Sequence, residues 1–292
     1  MYSATFVLLY YKAYQDTIEC IESIKNLEQN SVRINIVLVD NNSNDGSFEK
    51  IKKTYADNLS IHWISTGANL GYAKGNNVGV KYAKTQLKSD WVIILNTDVV
   101  IRQKDFCEKL VEVYNKEHYY VLGPEVLGYS DGLSQSPLQK RDSMNIYKVW
   151  INNMLHLIAW KTNLIVVIRK FRKRAVVNFS KPTEEEKYTC ICHGSCLILS
   201  PIFLERFNGF DGRTFLYREE SILFYVLHKL GLKTLFSDEL TVFHKGGKSS
   251  EAEYGKDERN RAIPACRIRN ESLLEEIRVR RLSMDKLEDV LK

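Results

Sequence analysis

Six cysteines in 292 residues are too few for a disulfide framework, and they read as reduced thiols of a cytosolic protein. No apolar run reaches the roughly 18 to 20 residues that span a bilayer. No charged leader or cleavage site precedes the first strand-like run, residues 4–9. These absences predict a cytoplasmic location, with any membrane contact peripheral and on the inner face. Internal repeats and low-complexity linkers are missing too, so one folded domain with local additions is expected. Acid is scarce in one place. Residues 140–181 hold ten Lys or Arg and a single acid, Asp142. That segment carries +9 of a net +6, leaving −3 for the remainder. A basic surface on a near-neutral body suits phosphate, an acidic glycan or anionic lipid.

Apolar content of 44% and charge of 27% are ordinary for a globular chain. Strand-like runs at 5–9, 34–39, 60–65 and 91–95 alternate with helical spacing at 17–27, 48–55 and 75–84. Strands separated by helices predict an α/β fold with a mostly parallel, doubly wound sheet. Residues 190–200 read as a further strand, 219–230 as a helix, and 268–291 as a helical tail. In such sheets ligands bind beyond the carboxyl ends of the strands. Three polar motifs fall there: Asp40-Asn41-Asn42-Ser43, Thr66-Gly67-Ala68-Asn69 and Asn96-Thr97-Asp98.

Each motif also has a plain structural reading. Asp40 can accept bonds from a ribose hydroxyl or a base imide, or its neighbours can simply build a turn. The stretch from Asn69 through Gly71, Lys74 and Asn76 is a glycine-rich helix entry whose amides favour anions. It lacks the spacing of a dinucleotide fingerprint or a Walker loop. Asn96-Thr97-Asp98 puts two oxygen-bearing side chains where a buried strand surfaces. They could share Mg²⁺ or Mn²⁺ with a diphosphate, or serve as a cap. Glu219 and Glu220 open a helical pattern, where the dipole favours acids and where one could act as a general base. His244 follows a strand and precedes a loop of glycines and lysines suited to phosphate. Cys190, Cys192, His193 and Cys196 lack a second zinc-spaced pair and read as small buried side chains.

In this order the motifs resemble the inverting glycosyltransferases of family 2, with the GT-A fold, over residues 4–250 apart from the basic insertion. Rhamnosyltransferase-like enzymes of bacterial capsule and O-antigen assembly look most similar. The resemblance implies a catalytic domain at 1–250, with the basic aromatic insertion at 140–181, and a C-terminal helical appendage at 251–292. It implies a nucleotide-diphosphate sugar donor, contacted by Tyr10, Tyr11, Asp40, Asn42, Asn69, Gly71, Lys74, Asn76, Asn96 and Thr97. Asp98 and His244 correspond to metal ligands and Glu219-Glu220 to the pair whose second acid, Glu220, is the base. The acceptor would be a glycan or lipid-linked glycan. Nucleic acid is not expected as a partner, and the oligomeric state is left open. Lys12 and Lys74 replace a common asparagine and glycine, and Glu220 replaces aspartate, so donor preference and base reach differ from the commonest pattern. A catalytically silent GT-A-like subunit is the alternative, which retention of Asp98 and both glutamates disfavours. The aromatic and basic stretch 150–174 suggests contact with an anionic membrane, or else a solvated insertion.

Overall fold

The computed structural model describes residues 1–140, 145–165, 181–246 and 257–292. Its centre is four parallel strands: β1 (Tyr2–Tyr10), β2 (Val32–Asp40), β3 (Ile61–Ser65) and β4 (Trp91–Asn96). The inner three are buried on both faces, which is why their sequences run apolar without alternation. The helices between them are α1 (Tyr14–Lys25), α2 (Ser47–Thr54) and α3 (Gly71–Thr85). After β4 come β5 (Val99–Val100), α4 (Phe106–Glu117), β6 (Val121–Gly128), β7 (Gln139–Lys140) and α5 (Ile146–Lys161). The chain continues through β8 (Cys190–Ile191), β9 (Cys196–Leu199), α6 (Pro201–Arg206), α7 (Glu219–Lys229) and β10 (Thr234–His244). It closes with α8 (Glu258–Arg280) and α9 (Met284–Leu287).

The main sheet has the order β3-β2-β1-β4-β9-β6-β10-β5. Strand β9 is antiparallel to both neighbours and β5 is antiparallel to β10; the other pairings are parallel. This is the expected mostly parallel α/β sheet with helices on both faces. Alternate residues feed two apolar layers. Phe6, Leu8 and Tyr10 join residues of α1, α2 and α4, while Val7 joins α3, α6 and α7. Helix α3 lies close against β1: a methyl group at Gly75 would stand 2.5 Å from Leu9 Cδ1. That closeness brings the start of α3 to the carboxyl ends of β1 and β2.

Two expectations about elements change. The run 190–200 is two strands rather than one. Ile191 belongs to the small β7–β8 ladder, and the chain turns before Cys196 joins the main sheet. The turn is held by the Ser195 amide, which donates to His193 Nδ1 at 3.1 Å. The tail helix starts earlier than residue 268, because Asp257 caps it by accepting from Asn260 N at 2.8 Å. Pro264 lies inside α8, a position that sequence rules treat as a breaker. Packing overrides it: α8 lies along α5, and Asn153 donates to Cys266 O (2.9 Å) and Asn270 Oδ1 (2.7 Å). Residues 141–144 and 166–180 of the basic insertion, and 247–250 of the lysine-glycine loop, lie outside the described residues.

Candidate functional site

The parallel register sets Tyr10 beside Asp40 and Leu9 beside Asn96, so three strand ends share one edge. Past Asn96 the chain turns through Thr97 and Asp98 into the two residues of β5, which pair with the end of β10. His244 stands opposite Val99, and the Lys245 amide donates to Asp98 O at 3.0 Å. The short ladder thereby brings Asp98 Oδ2 to 3.3 Å from His244 Nε2. On the far side of the ring, Nδ1 meets Gln135 Oε1 at 2.9 Å. The Nδ1–Gln135 contact leaves Nε2 as the ring atom that faces the carboxylate. A histidine nitrogen and a carboxylate oxygen set side by side in this way can share a cation, and a hydrogen bond on the other ring nitrogen is the usual outer support of a ligating histidine.

His193 lies against this pair, its ring centroid 5.2 Å from that of His244. Its Nδ1 accepts from the Ser195 amide, so its proton sits on Nε2. Burial, then repulsion from His244, push its pKa down to about 4 against the pull of Asp98. His193 is therefore neutral at physiological pH.

Tyr72, in the first turn of α3, spans the middle of the site. Its hydroxyl faces Asn96 Oδ1 at 3.1 Å and Gly194 O at 2.7 Å. Burial, then the acidic groups around it, hold the phenol well above its ordinary pKa. It stays protonated and acts as a donor.

The two glutamates arrive from the opposite side on α7. They follow two consecutive left-handed residues, Tyr217 (φ 74°) and Arg218 (φ 72°), an arrangement that needs external support. The Arg218 guanidinium supplies it, with Nε donating to Glu276 Oε2 at 2.6 Å. Glu276 is fully buried on α8 and also takes Arg280 at 2.7 Å. Glu219 is 3% exposed, and its Oε1 has no partner among the described residues. Burial, then the Glu220 charge, raise its pKa to about 8. Burial also raises Glu220, whose carboxyl lies over Gly194. A methyl group on Gly194 would stand 3.4 Å from Glu220 Oε2. Two neighbouring carboxyls in such a site ionise in turn. Glu219 keeps the proton, and Glu220 carries the charge.

The other residues singled out in the sequence are placed unequally. Asp40 is 8% exposed and accepts from Ser43 N at 3.0 Å, so it holds its own turn. Asn42 (φ 66°) and Tyr11 are half-buried beside it, Thr97 is buried, and Lys74 is exposed. Asn69 Oδ1 accepts from Asn41 Nδ2 (2.9 Å) and Gly71 N (3.0 Å), which clasps the loop to the strand end. Gly71 takes φ +77°, and a side chain there would stand 2.3 Å from Phe215 O. The Tyr72 amide bonds that same oxygen at 2.6 Å, docking the 211–218 loop on α3. Tyr10 and Asn76 are not brought to the cluster. Tyr10 is fully buried against Phe48 with its hydroxyl on Ser47, and Asn76 is 1% exposed with its amide on Tyr72 O.

Sequence reasoning gave no role to Tyr72, His193, Gly194, Arg218 or Glu276. Tyr72 lies within the glycine-rich stretch from Asn69 to Asn76, and its hydroxyl is the one available signal. All six cysteines are free and buried, as small core side chains should be. Among the described residues no group of three or more His, Cys, Asp or Glu could hold a metal by itself. A cation at Asp98 and His244 would need a ligand from the substrate.

A sequence model described as Glycosyl transferase family 2 matches residues 5–180, more than half of the chain. The low-salt glycan biosynthesis hexosyltransferase Agl10 of Haloferax volcanii is 24% identical over 200 residues, which cover 68% of this chain. The match spans only 55% of that relative's length. The mannosyltransferase PcManGT of Pyrobaculum calidifontis, solved with GDP-Man and Mn²⁺, superposes with a TM-score of 0.57 at 12% identity. That match covers 97% of this chain and 76% of the other. GalNAc-T7, solved with UDP, GalNAc and Mn²⁺, also gives 0.57 at 15% identity, over 83% of this chain and 43% of its own. At these identities the structures speak for the fold alone.

Proposed function

The chain belongs to glycosyl transferase family 2 with the GT-A fold, and on that premise we propose that it is an inverting, metal-dependent glycosyltransferase. It would move a hexosyl or rhamnosyl unit from a nucleotide-diphosphate sugar to a hydroxyl of a glycan or lipid-linked glycan in surface polysaccharide synthesis. The observation that carries this reading is a two-sided site. A cation-ready pair, Asp98 and His244, stands on one side, and a carboxylate, Glu220, stands on the other. Tyr72 and Gly194 lie between them. The metal chemistry has a parallel in the Mn²⁺ bound by two proteins of the same fold.

In this reaction the acceptor oxygen forms a bond to the anomeric carbon as the bond from that carbon to the diphosphate oxygen breaks. The transition state resembles an oxocarbenium ion. Glu220 takes the proton of the attacking hydroxyl. Glu219, already protonated, leaves the pair's single negative charge on Glu220. Asp98 and His244 would hold Mg²⁺ or Mn²⁺, which supplies charge stabilisation to the departing diphosphate. Tyr72 fixes the Asn96 carboxamide and the Gly194 carbonyl, and so the width of the site. Asp40, Asn42, Tyr11 and Lys74 would meet the nucleotide and sugar.

The test is a donor screen with uridine-, thymidine- and guanosine-linked sugars, with and without Mn²⁺, on the intact protein. Metal-dependent transfer or donor hydrolysis is expected. Glu220→Gln should cost at least about a hundredfold in turnover. Near-normal turnover in that variant removes the base assignment, and an active donor that ignores metal removes the Asp98–His244 role.

A further inference from the structure

Helix α5 has two apolar faces. Ile146, Leu157 and Trp160 turn inward and pack with Cys266, Leu273 and Ile277 of α8. Tyr147, Ile151, Leu155 and Ile158 are instead 43%, 49%, 58% and 49% exposed. Their spacing of four, four and three residues sets them in one stripe along the outer side. Just past the end of the helix Leu164 is also exposed, at 53%. Isolated exposed apolar residues are ordinary, but a continuous row on one helix marks a surface meant to be covered.

Charge indicates what covers it. Helix α5 contains no acid, and Lys148 and Lys161 are both exposed on it. Arg281 borders the stripe, donating to the Tyr147 hydroxyl at 2.9 Å. In the sequence Arg169, Lys170, Arg172, Lys173 and Arg174 follow closely, outside the described residues, within the segment that carries +9. A second copy docking on this face would set Lys148, Lys161 and Arg281 against their own equivalents. An anionic lipid surface complements them, and apolar residues edged by cations are what an interfacial helix presents. A row of this kind lies in the interface without crossing it. Among the described residues no helix is long and apolar enough to span a bilayer.

We infer that the outer face of α5 docks on an anionic membrane surface. Tyr147, Ile151, Leu155 and Ile158 enter the boundary between headgroups and acyl chains, and Lys148, Lys161 and Arg281 meet lipid phosphates. This surface is separate from the Asp98–Glu220 site and does not depend on the transferase reading. Its partner helix α8 nevertheless carries Glu276, so the docked pair adjoins the support of the catalytic helix.

The experiment is flotation of the full chain with vesicles of phosphatidylcholine alone, and of phosphatidylcholine mixed with phosphatidylglycerol. The wild type should float with the mixed vesicles and be released by salt, since surface charge attraction is screened. Ile151→Ser combined with Leu155→Ser should weaken flotation by about tenfold or more, with an unchanged melting temperature and circular dichroism. The inference falls if the wild type floats with neither vesicle or if the variant floats as well as the wild type. A drop in the variant's melting temperature without wild-type flotation would mean the chain's own residues cover the stripe. A dimer present in the wild type and lost in the variant, again without flotation, would assign the stripe to a second copy.

Discussion

Replacing Glu219 by glutamine separates the two neighbouring acids by a measurement that needs no substrate. Glu219 is 3% exposed and its pKa is raised to about 8 from an ordinary 4.5. The folded protein therefore keeps a proton that the unfolded chain releases above pH 4.5. The stabilisation linked to this proton is fully present below pH 4.5 and is lost as pH rises to about 8. Linkage gives a slope of about 1.4 kcal/mol per pH unit inside that window. From pH 5 to pH 8 this comes to about 3 kcal/mol. Glutamine copies the neutral form at every pH, so Glu219→Gln should gain about 3 kcal/mol relative to wild type over that interval. Urea denaturation of both proteins at the two pH values reads the difference directly. Glu275, also raised to about 8 by burial and by Asp211, tilts both curves alike and cancels in the comparison. Turnover in Glu219→Gln should stay within about tenfold of wild type, while Glu220→Gln loses at least about a hundredfold. Parallel stability curves for wild type and Glu219→Gln would refute the proton's location. Inactive Glu219→Gln beside active Glu220→Gln would reverse the roles.

Other consequences are as direct. Gly71→Ala forces a left-handed residue and a contact 2.3 Å from Phe215 O, so it should cost about 1 to 3 kcal/mol in urea denaturation; wild-type stability would mean the 211–218 loop is not docked as described. Glu276→Ala leaves half-buried Arg218 and Arg280 without their shared partner, and its own fully buried site without a counter-charge. A loss of about 3 to 5 kcal/mol is expected, and an unchanged midpoint would show that the cluster is solvated. Asp98→Ala and His244→Ala should each weaken Mn²⁺ binding in the presence of nucleoside diphosphate by about tenfold or more, measured by electron paramagnetic resonance of free Mn²⁺; unaltered affinity in both would remove the pair as ligands.

Much of the fold was legible because buried parallel strands advertise themselves. The runs predicted at 5–9, 34–39, 60–65 and 91–95 all lie inside or within a residue of observed strands. Where strand and turn chemistry compete, the sequence was less informative. The apolar alternation through Cys190 to Ser200 carries over the turn at Ser195, since the His193 ring that closes it is itself buried. The polar motifs at strand ends do share one sheet edge, but a motif does not reveal which way each side chain points. Tyr10 follows Phe6 and Leu8 at the strand period, and so enters the core with them. Period alone would have shown that. The support of Glu219 and Glu220 was beyond such reading. Arg218 and Glu276 meet only because α8 returns to α7, and no local pattern announces that contact.

The ladder between β5 and β10 bears on how the protein comes into being. Asp98 is synthesised early and His244 late, and only pairing of β10 with β6 and β5 unites them. Contacts between distant chain segments form slowly, because a long loop must close before they return any energy. A growing chain can thus assemble β1 to β4 and their helices while its cation pair does not yet exist. A lesion that merely delays the last strand would leave a compact species with most of its helices and strands but without the Asp98–His244 pairing.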